Sequence, residues 1–355
     1  MPGDDTTVHT NNALNRLLDE YMDKRVVRVV HGGVEVSKTM LEQRFDLIFC
    51  TGGTFIGKIV AAAAAKTLTP TILELGGKSP AIIDETCDLE VSARRIAWGS
   101  FINSGQTCLR PDYVLVSSKI GDRFVALLEK SLRSFFGDDA LQSEDYGRLV
   151  NTRQFGRIAA MIEQDKRHIA HGGSTNATEQ YVEPTLLNFK NDIHAFTNAA
   201  SHVAGGLWPS LANLLLDDCI DFVNSRERPL GLYMCTSISS NRNRVLRETT
   251  SGSVCINDAT VQFTNSSLPF GGVGHSGMGA YHGKYSFDAF SHKKSVMIRS
   301  TWFDVKQRYY PYSPASLQAL KPAVTPITRK VTKILKFIGG VLIIAVVTVA
   351  IVLLV

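Results

Sequence analysis

Cysteine is sparse in this 355-residue chain: Cys50, Cys87, Cys108, Cys219, Cys235 and Cys255 are scattered, and no two form a C-x-x-C pair. Neither a disulfide framework nor a zinc knuckle is therefore expected, and no metal site. No hydrophobic segment opens the sequence, since Met1 to Asn12 is polar. Nothing in it directs export, so the globular body is expected in the cytosol. Acidic residues are missing after Asp304, where Lys306, Arg308, Lys321, Arg329, Lys330, Lys333 and Lys336 follow. These seven cations exceed the net charge of +5, so everything before them is mildly acidic and no nucleic-acid partner is expected. No internal repeat is present, which excludes a solenoid.

What the tail does contain is an apolar run, Phe337 to Val355, nineteen residues without a charge. As a helix it would span roughly 28 Å, close to the thickness of a bilayer core. Entered through a basic run, it reads as a single-pass membrane anchor with the body on the cytosolic side. The lipid bilayer of the endoplasmic reticulum or of the mitochondrial outer membrane is the expected partner. Pro311, Pro314, Pro322 and Pro326 make the stretch before it an extended linker.

The body alternates strand and helix. A helix over 15–24 precedes a strand over 26–30, a helix over 37–43, a strand over 46–50, a helix over 56–66 and a strand over 71–75. This is the signature of a parallel sheet covered by helices, an α/β fold. Further helices are predicted near 89–103, 122–136, 155–166 and 217–226, and strands at 113–116, 231–236 and 253–257, with Gly137 as a helix C-cap.

Three motifs carry chemistry. Gly52-Gly53-Thr54-Phe55-Ile56-Gly57-Lys58 lies between a strand and a helix, where backbone amides can cradle a pyrophosphate. Its spelling also fits G-x-x-x-x-G-K, but Ile59 stands where an ATPase needs a hydroxyl for Mg²⁺. A plain glycine turn is the bland alternative. Gly272-Val273-Gly274-His275-Ser276-Gly277 spells G-x-G-x-x-G, yet no strand precedes it, so it reads as a loop approached closely by another backbone or a substrate. Glu74 ends an apolar strand before Gly76-Gly77, a place where a carboxyl pKa rises towards the range of a general base; a salt-bridged surface Glu is the alternative. Cys108 ends a small turn, Asn103 to Thr107, just before Pro111, a setting for an exposed nucleophile or for inert packing.

Together these motifs resemble the aldehyde dehydrogenase superfamily. The resemblance rests on Glu74-Leu75-Gly76-Gly77-Lys78-Ser79-Pro80, on Gly105-Gln106-Thr107-Cys108 and on Thr51-Gly52 with Thr54 and Gly57 upstream. Arg226 to Tyr233 and Leu268 to Lys284 are similar to its class 3 branch, and the apolar tail is similar to the membrane-anchored fatty aldehyde dehydrogenases. The resemblance implies a partial Rossmann-like coenzyme domain over 1–76, a catalytic domain over 77–285, an oligomerisation strand region over 286–301, a basic linker over 302–336 and a transmembrane helix over 337–355. It implies oxidation of aliphatic aldehydes with NAD, NADP being the alternative coenzyme, in a homodimer. Cys108 would attack the carbonyl and give a thiohemiacetal, then a thioester after hydride transfer; Glu74 would activate water. Gly52, Gly53, Thr54, Phe55, Ile56 and Gly57 would hold the coenzyme pyrophosphate, and the Cys108 amide would donate to the oxyanion.

Two departures set the rival expectation of a catalytically impaired, truncated, membrane-anchored protein with a binding role or none. The family carries earlier coenzyme-domain strands, an Asn in Pro-Trp-Asn that completes the oxyanion hole, and a Lys for the adenosine ribose; this sequence holds none of them. One lost oxyanion donor costs on the order of 10² to 10³ in rate. Between Pro184 and Phe222 the family has Glu-Ile-Phe-Gly-Pro, while this chain has Asn198-Ala199-Ala200-Ser201-His202-Val203-Ala204-Gly205-Gly206-Leu207-Trp208-Pro209.

Overall fold

Residues Ser79–Ile83 and Pro111–Val116 are buried at every position and pair side by side in the middle of a seven-stranded sheet. A strand covered on both faces has no polar side to show, so it reads as an unbroken apolar run rather than as alternation. The computed structural model describes residues 2–3, 7–190, 192–202, 207–211, 214–302 and 304–324; contacts divide the chain into Met1–His292 and Lys293–Val355.

In the first unit the large sheet runs Ser253–Ile256, Gly231–Cys235, Ser79–Ile83, Pro111–Val116, Leu207–Leu211, Thr185–Asn188, Ile169–His171. All neighbours are parallel except the last pair. Alternate residues sort to opposite faces, as the two-residue period of a strand requires. Ile82, Tyr113, Leu115, Leu232 and Met234 pack against Ile158 and Ile162 of the helix Thr152–Gln164 and against Cys219, Ile220 and Val223 of the helix Leu216–Asn224. Ala81, Ile83, Val114, Val116, Tyr233 and Cys235 face the helices Leu89–Phe101 and Gly121–Phe136 through Ile96, Phe101, Phe124, Leu128 and Leu132. Asp88 and Asn151 cap two of these helices by accepting amides of Val91 and Gln154, and Gly137 at φ 76° closes the helix Gly121–Phe136.

A second sheet has three strands. Ile48–Thr51 is parallel to Thr71–Glu74, and Gly277–Met278 is antiparallel on its other side. The parallel pair carries the helix Thr54–Ala65, packed through Val60 on Leu73 and Leu75. The third strand comes from the glycine-rich motif. Gly277 (φ 151°) lies so close that a Cβ there would sit 2.3 Å from the Leu73 carbonyl oxygen, and one at Gly272 would sit 2.0 Å from the Ser276 carbonyl oxygen.

Several expected elements differ. Residues 26–30 form no strand except at Val30, because the amides of Val26 and Val27 both donate to the Asp23 carbonyl and wrap the β-branched run into a turn. The strands Ser79–Ile83, Thr185–Asn188 and Leu207–Leu211 were not anticipated. The last overlaps the end of the stretch 198–209, where the resemblance leads one to expect Glu-Ile-Phe-Gly-Pro, and its Pro209 stands opposite Leu187. Residues 286–301 carry the end of the helix Gly283–Ala289 and no strand among the described residues.

In the second unit the described elements are a 3-10 turn, Lys306–Arg308, and the helix Pro314–Val324. The anticipated transmembrane segment 337–355 lies outside the described residues, among which no helix is long and apolar enough to cross a membrane.

The backbone packing at Gly277 yields the first test. Gly277→Ala forces a Cβ into a carbonyl at an unfavourable φ, and should cost on the order of 3 kcal/mol, read as a lowered urea midpoint. An unchanged midpoint would show that the small sheet does not depend on that approach.

Candidate active site

Glu74 is the last residue of its strand, with its backbone held from both sides. The Gly52 amide donates to the Glu74 carbonyl at 2.9 Å, and the Leu75 amide donates to the Ser276 carbonyl at 3.1 Å. The side chain has no such support. Glu74 is 3% exposed, and neither carboxyl oxygen has a hydrogen-bond partner among the described residues. Burial disfavours the ionised form and pushes this carboxyl up to about 7.

Cys108 is delivered by a tight, left-handed passage. The helix Leu89–Phe101 runs into a 3-10 turn, Ile102–Gly105, in which Asn103, Ser104 and Gly105 all have positive φ. The Gln106 side chain ties this turn down. Its Nε2 donates to the Arg148 carbonyl at 3.0 Å, and its Oε1 accepts the Val150 amide at 3.0 Å. Cys108 itself is exposed. Desolvation and then the Glu74 charge push its thiol up, while the backbone amides of Cys108 and Leu109 pull it down. A cleft of about 330 Å³ opens beside the thiol, lined by Gly77, Lys78, Leu149, Arg157 and Ile158 among others.

The glycine loop stands beside this pair. The helix Thr54–Ala65 starts directly after Gly53 with no side-chain cap on its first-turn amides. A Cβ at Gly53 would meet nothing within 4 Å, and Phe55 and Ile56 are exposed. An open helix N-terminus of this kind fits a coenzyme pyrophosphate. The Thr54 hydroxyl donates to the His275 carbonyl at 3.0 Å and links the loop to the glycine-rich strand. Gly57 does something else: a Cβ there would lie 2.6 Å from both Leu75 methyls, so it seats the helix on the Glu74 strand.

The fold thus brings Glu74, Cys108 and residues 52–57 together. Sequence reasoning gave no role to Tyr281, whose phenol is pushed up by burial and then by the charges of Glu74 and Cys108. It also passed over Asp112 and Tyr233. A buried Asp four residues after the thiol was a readable signal; Tyr233 left none, because it reads as core.

The rise at Glu74 has a definite sign. Below its ordinary 4.5 the carboxyl is protonated folded or unfolded and contributes nothing. Above about 7 it is ionised in both states, and burial then costs the folded chain about 3 kcal/mol. Glu74→Gln should therefore raise the melting temperature at pH 8 and leave it unchanged at pH 4. An equal gain at both values would mean that ionisation is not the cause.

Comparison with known proteins agrees with this arrangement. The profile of the "Aldehyde dehydrogenase family" matches residues 2–296. The chain is 46% identical over 311 residues to mouse (Mus musculus) "Aldehyde dehydrogenase, dimeric NADP-preferring", covering 87% of this chain and 68% of that protein. It is 40% identical over 306 residues to "4,4'-diaponeurosporen-aldehyde dehydrogenase" of Staphylococcus aureus, covering 86% and 66%. A solved structure described as the substrate-bound state of Staphylococcus aureus AldH superposes with a TM-score of 0.86 at 38% identity, over 91% of this chain and 70% of that one. The chain thus spans about two thirds of the length of these relatives, and it belongs to the aldehyde dehydrogenase family.

Proposed function

We propose that the chain oxidises aliphatic aldehydes to carboxylic acids with a nicotinamide coenzyme, with Cys108 as nucleophile and Glu74 as base. The observation that carries this reading is the Glu74 carboxyl: buried, without a hydrogen-bond partner among the described residues, titrating near 7, and coupled by charge to an exposed thiol. An ion pair would hold a carboxyl well below neutral and make it a weak base; neither oxygen of this one has a hydrogen-bond partner among the described residues.

The residues divide the work as follows. Glu74 takes the proton of the Cys108 thiol, and the sulfur bonds to the aldehyde carbon as the carbonyl π electrons pass to oxygen, giving a thiohemiacetal in its alkoxide form. Hydride acceptance is the chemistry a bound nicotinamide coenzyme supplies, and it leaves a thioester on Cys108. Glu74 gives that first proton up to solvent and then takes a second from water as the oxygen attacks the thioester carbon; the C–S bond breaks, Glu74 returns this proton to the leaving sulfur, and the acid departs from a regenerated thiol. Gly52, Gly53, Thr54, Phe55 and Ile56 would hold the pyrophosphate. The dry setting of Glu74 keeps its proton affinity near that of a neutral-pH base throughout.

For the substrate we favour long or medium alkyl chains, and for the coenzyme NAD. A relative named for a 4,4'-diaponeurosporen aldehyde and the apolar run Phe337 to Val355, which would hold the body beside lipid, support the first. The mouse relative named for NADP marks the alternative coenzyme. Homodimerisation and attachment to the endoplasmic reticulum or mitochondrial outer membrane complete the reading.

The test uses the purified full chain, a series of short to long alkyl aldehydes, and either coenzyme. Reduced coenzyme should appear with wild type, and kcat should fall as pH drops through about 7, where Glu74 gains its proton. Cys108→Ala should abolish turnover, and Glu74→Gln should lower kcat by about 10² to 10⁴ and remove the acid limb. No reduced coenzyme with any aldehyde, wild type and Cys108→Ala behaving alike, would overturn the proposal and favour a binding role.

A further inference from the structure

The proposed pair sits on two backbone segments, 74–79 and 103–112, and buried polar contacts join these into a closed circuit. Asp112, 5% exposed, accepts the Ser79 amide through Oδ2 at 3.0 Å. Its Oδ1 lies 3.3 Å from Arg110 Nη2 and 3.7 Å from Lys78 Nζ. One carboxylate therefore holds the residue after Lys78 and both flanking cations at once. The Ser79 hydroxyl accepts the Gly231 amide at 3.3 Å. Two residues on, Tyr233 donates its hydroxyl to the carbonyl of Leu109, the residue that follows Cys108. Gln262 Nε2 donates to the same Tyr233 oxygen at 3.1 Å.

We infer that Asp112 and Tyr233 are positioning residues that hold Cys108 opposite Glu74. The inference rests on the reading that these two act as a pair. Its physical reason is that the Glu74 carboxyl has no hydrogen bond of its own to locate it, so its distance from the sulfur is set by backbone alone. That backbone continues from Glu74 through Gly76 and Gly77 into Ser79. Gly77 is held in turn: at φ 159° a Cβ there would lie 3.1 Å from Pro229 Cα, so the loop rests on the chain that enters the Tyr233 strand. Asp112 fixes the loop from the Cys108 side, and Tyr233 fixes the first carbonyl after Cys108 from the sheet.

The test reads geometry rather than turnover. In the full chain without coenzyme, alkylation of Cys108 by iodoacetamide is followed against pH by the mass of its peptide. The Glu74 charge opposes thiolate formation, so Glu74→Gln should move the midpoint of the profile down. Asp112→Asn keeps an acceptor for the Ser79 amide but drops the charge that holds Lys78 and Arg110; Tyr233→Phe removes only the hydroxyl on Leu109. In either background the downward shift caused by Glu74→Gln should shrink to less than half, and Asp112→Glu should restore part of it. A purely structural role would lower stability and leave that shift intact. Equal shifts in all backgrounds overturn the inference, and Tyr233→Phe decides it alone should Asp112→Asn not fold. Alkylation needs no aldehyde, so a chain without turnover would leave this result readable in its own right.

Discussion

A carboxyl placed where no donor reaches it is expensive to keep ionised, because the water it gives up is not replaced. Glu74 is such a group: among the described residues neither carboxyl oxygen has a hydrogen-bond partner. Its ladder partners are Gly277 directly across the antiparallel pair and Thr51 across the parallel one, and beyond the strand end the Leu75 amide donates to the Ser276 carbonyl. The glycines at 272 and 277 are the condition for this, since any Cβ there would collide with a carbonyl and open the ladder. A side chain at 277 large enough to offer a hydrogen bond would also have displaced the strand.

The same approach joins the loop 52–57 to Glu74. Gly52 donates to the carbonyl of Glu74, and Thr54 donates to that of His275, so the start of the helix Thr54–Ala65 and the end of the Glu74 strand cannot shift independently. Gly57 pulls the helix onto Leu75, the residue after the carboxyl. A ligand seated on the helix N-terminus would therefore be registered against Glu74 by backbone contacts alone. Such contacts tolerate little drift, whereas a long side chain would add its own rotamers.

How far the sequence revealed this depends on what each position had to balance. Glu74, Cys108 and the loop 52–57 were legible because each breaks its surroundings: a charge in an apolar strand, a thiol after a turn, glycines between strand and helix. Ser79–Ile83 was not legible, because Pro80 interrupts it and its apolar run is short; burial on both faces removed the alternation that would have marked it. Leu207–Leu211 was hidden by Pro209, which offers no N–H to the ladder, so a strand position looks like a break. The run 26–30 failed the opposite way: its β-branched residues suggest a strand, but Asp23 captures two of its amides in a turn, and local hydrogen bonds win where no partner strand waits. The contact made by Tyr233 could not be seen at all, since a buried tyrosine in a strand differs from its apolar neighbours by one hydroxyl whose target lies 124 residues away.

The thiol and the carboxyl, placed together, constrain each other's protons. Both lie in settings that disfavour charge, and the Glu74 charge opposes that of the thiolate. Near neutral pH the first proton lost is that of Glu74, because its carboxyl sits near 7 while desolvation and the Glu74 charge drive the thiol above its ordinary value. The resting sulfur is then a protonated thiol, a poor nucleophile and a poor target for oxidants, which attack thiolates. On the proposed roles, transfer of its proton to Glu74 makes the nucleophile and neutralises the base in one step, and the charge moves without increasing. The register of the two backbone segments governs that exchange, and on the inference drawn above the demand for precision falls on Asp112, Ser79 and Tyr233 rather than on the reactive side chains themselves.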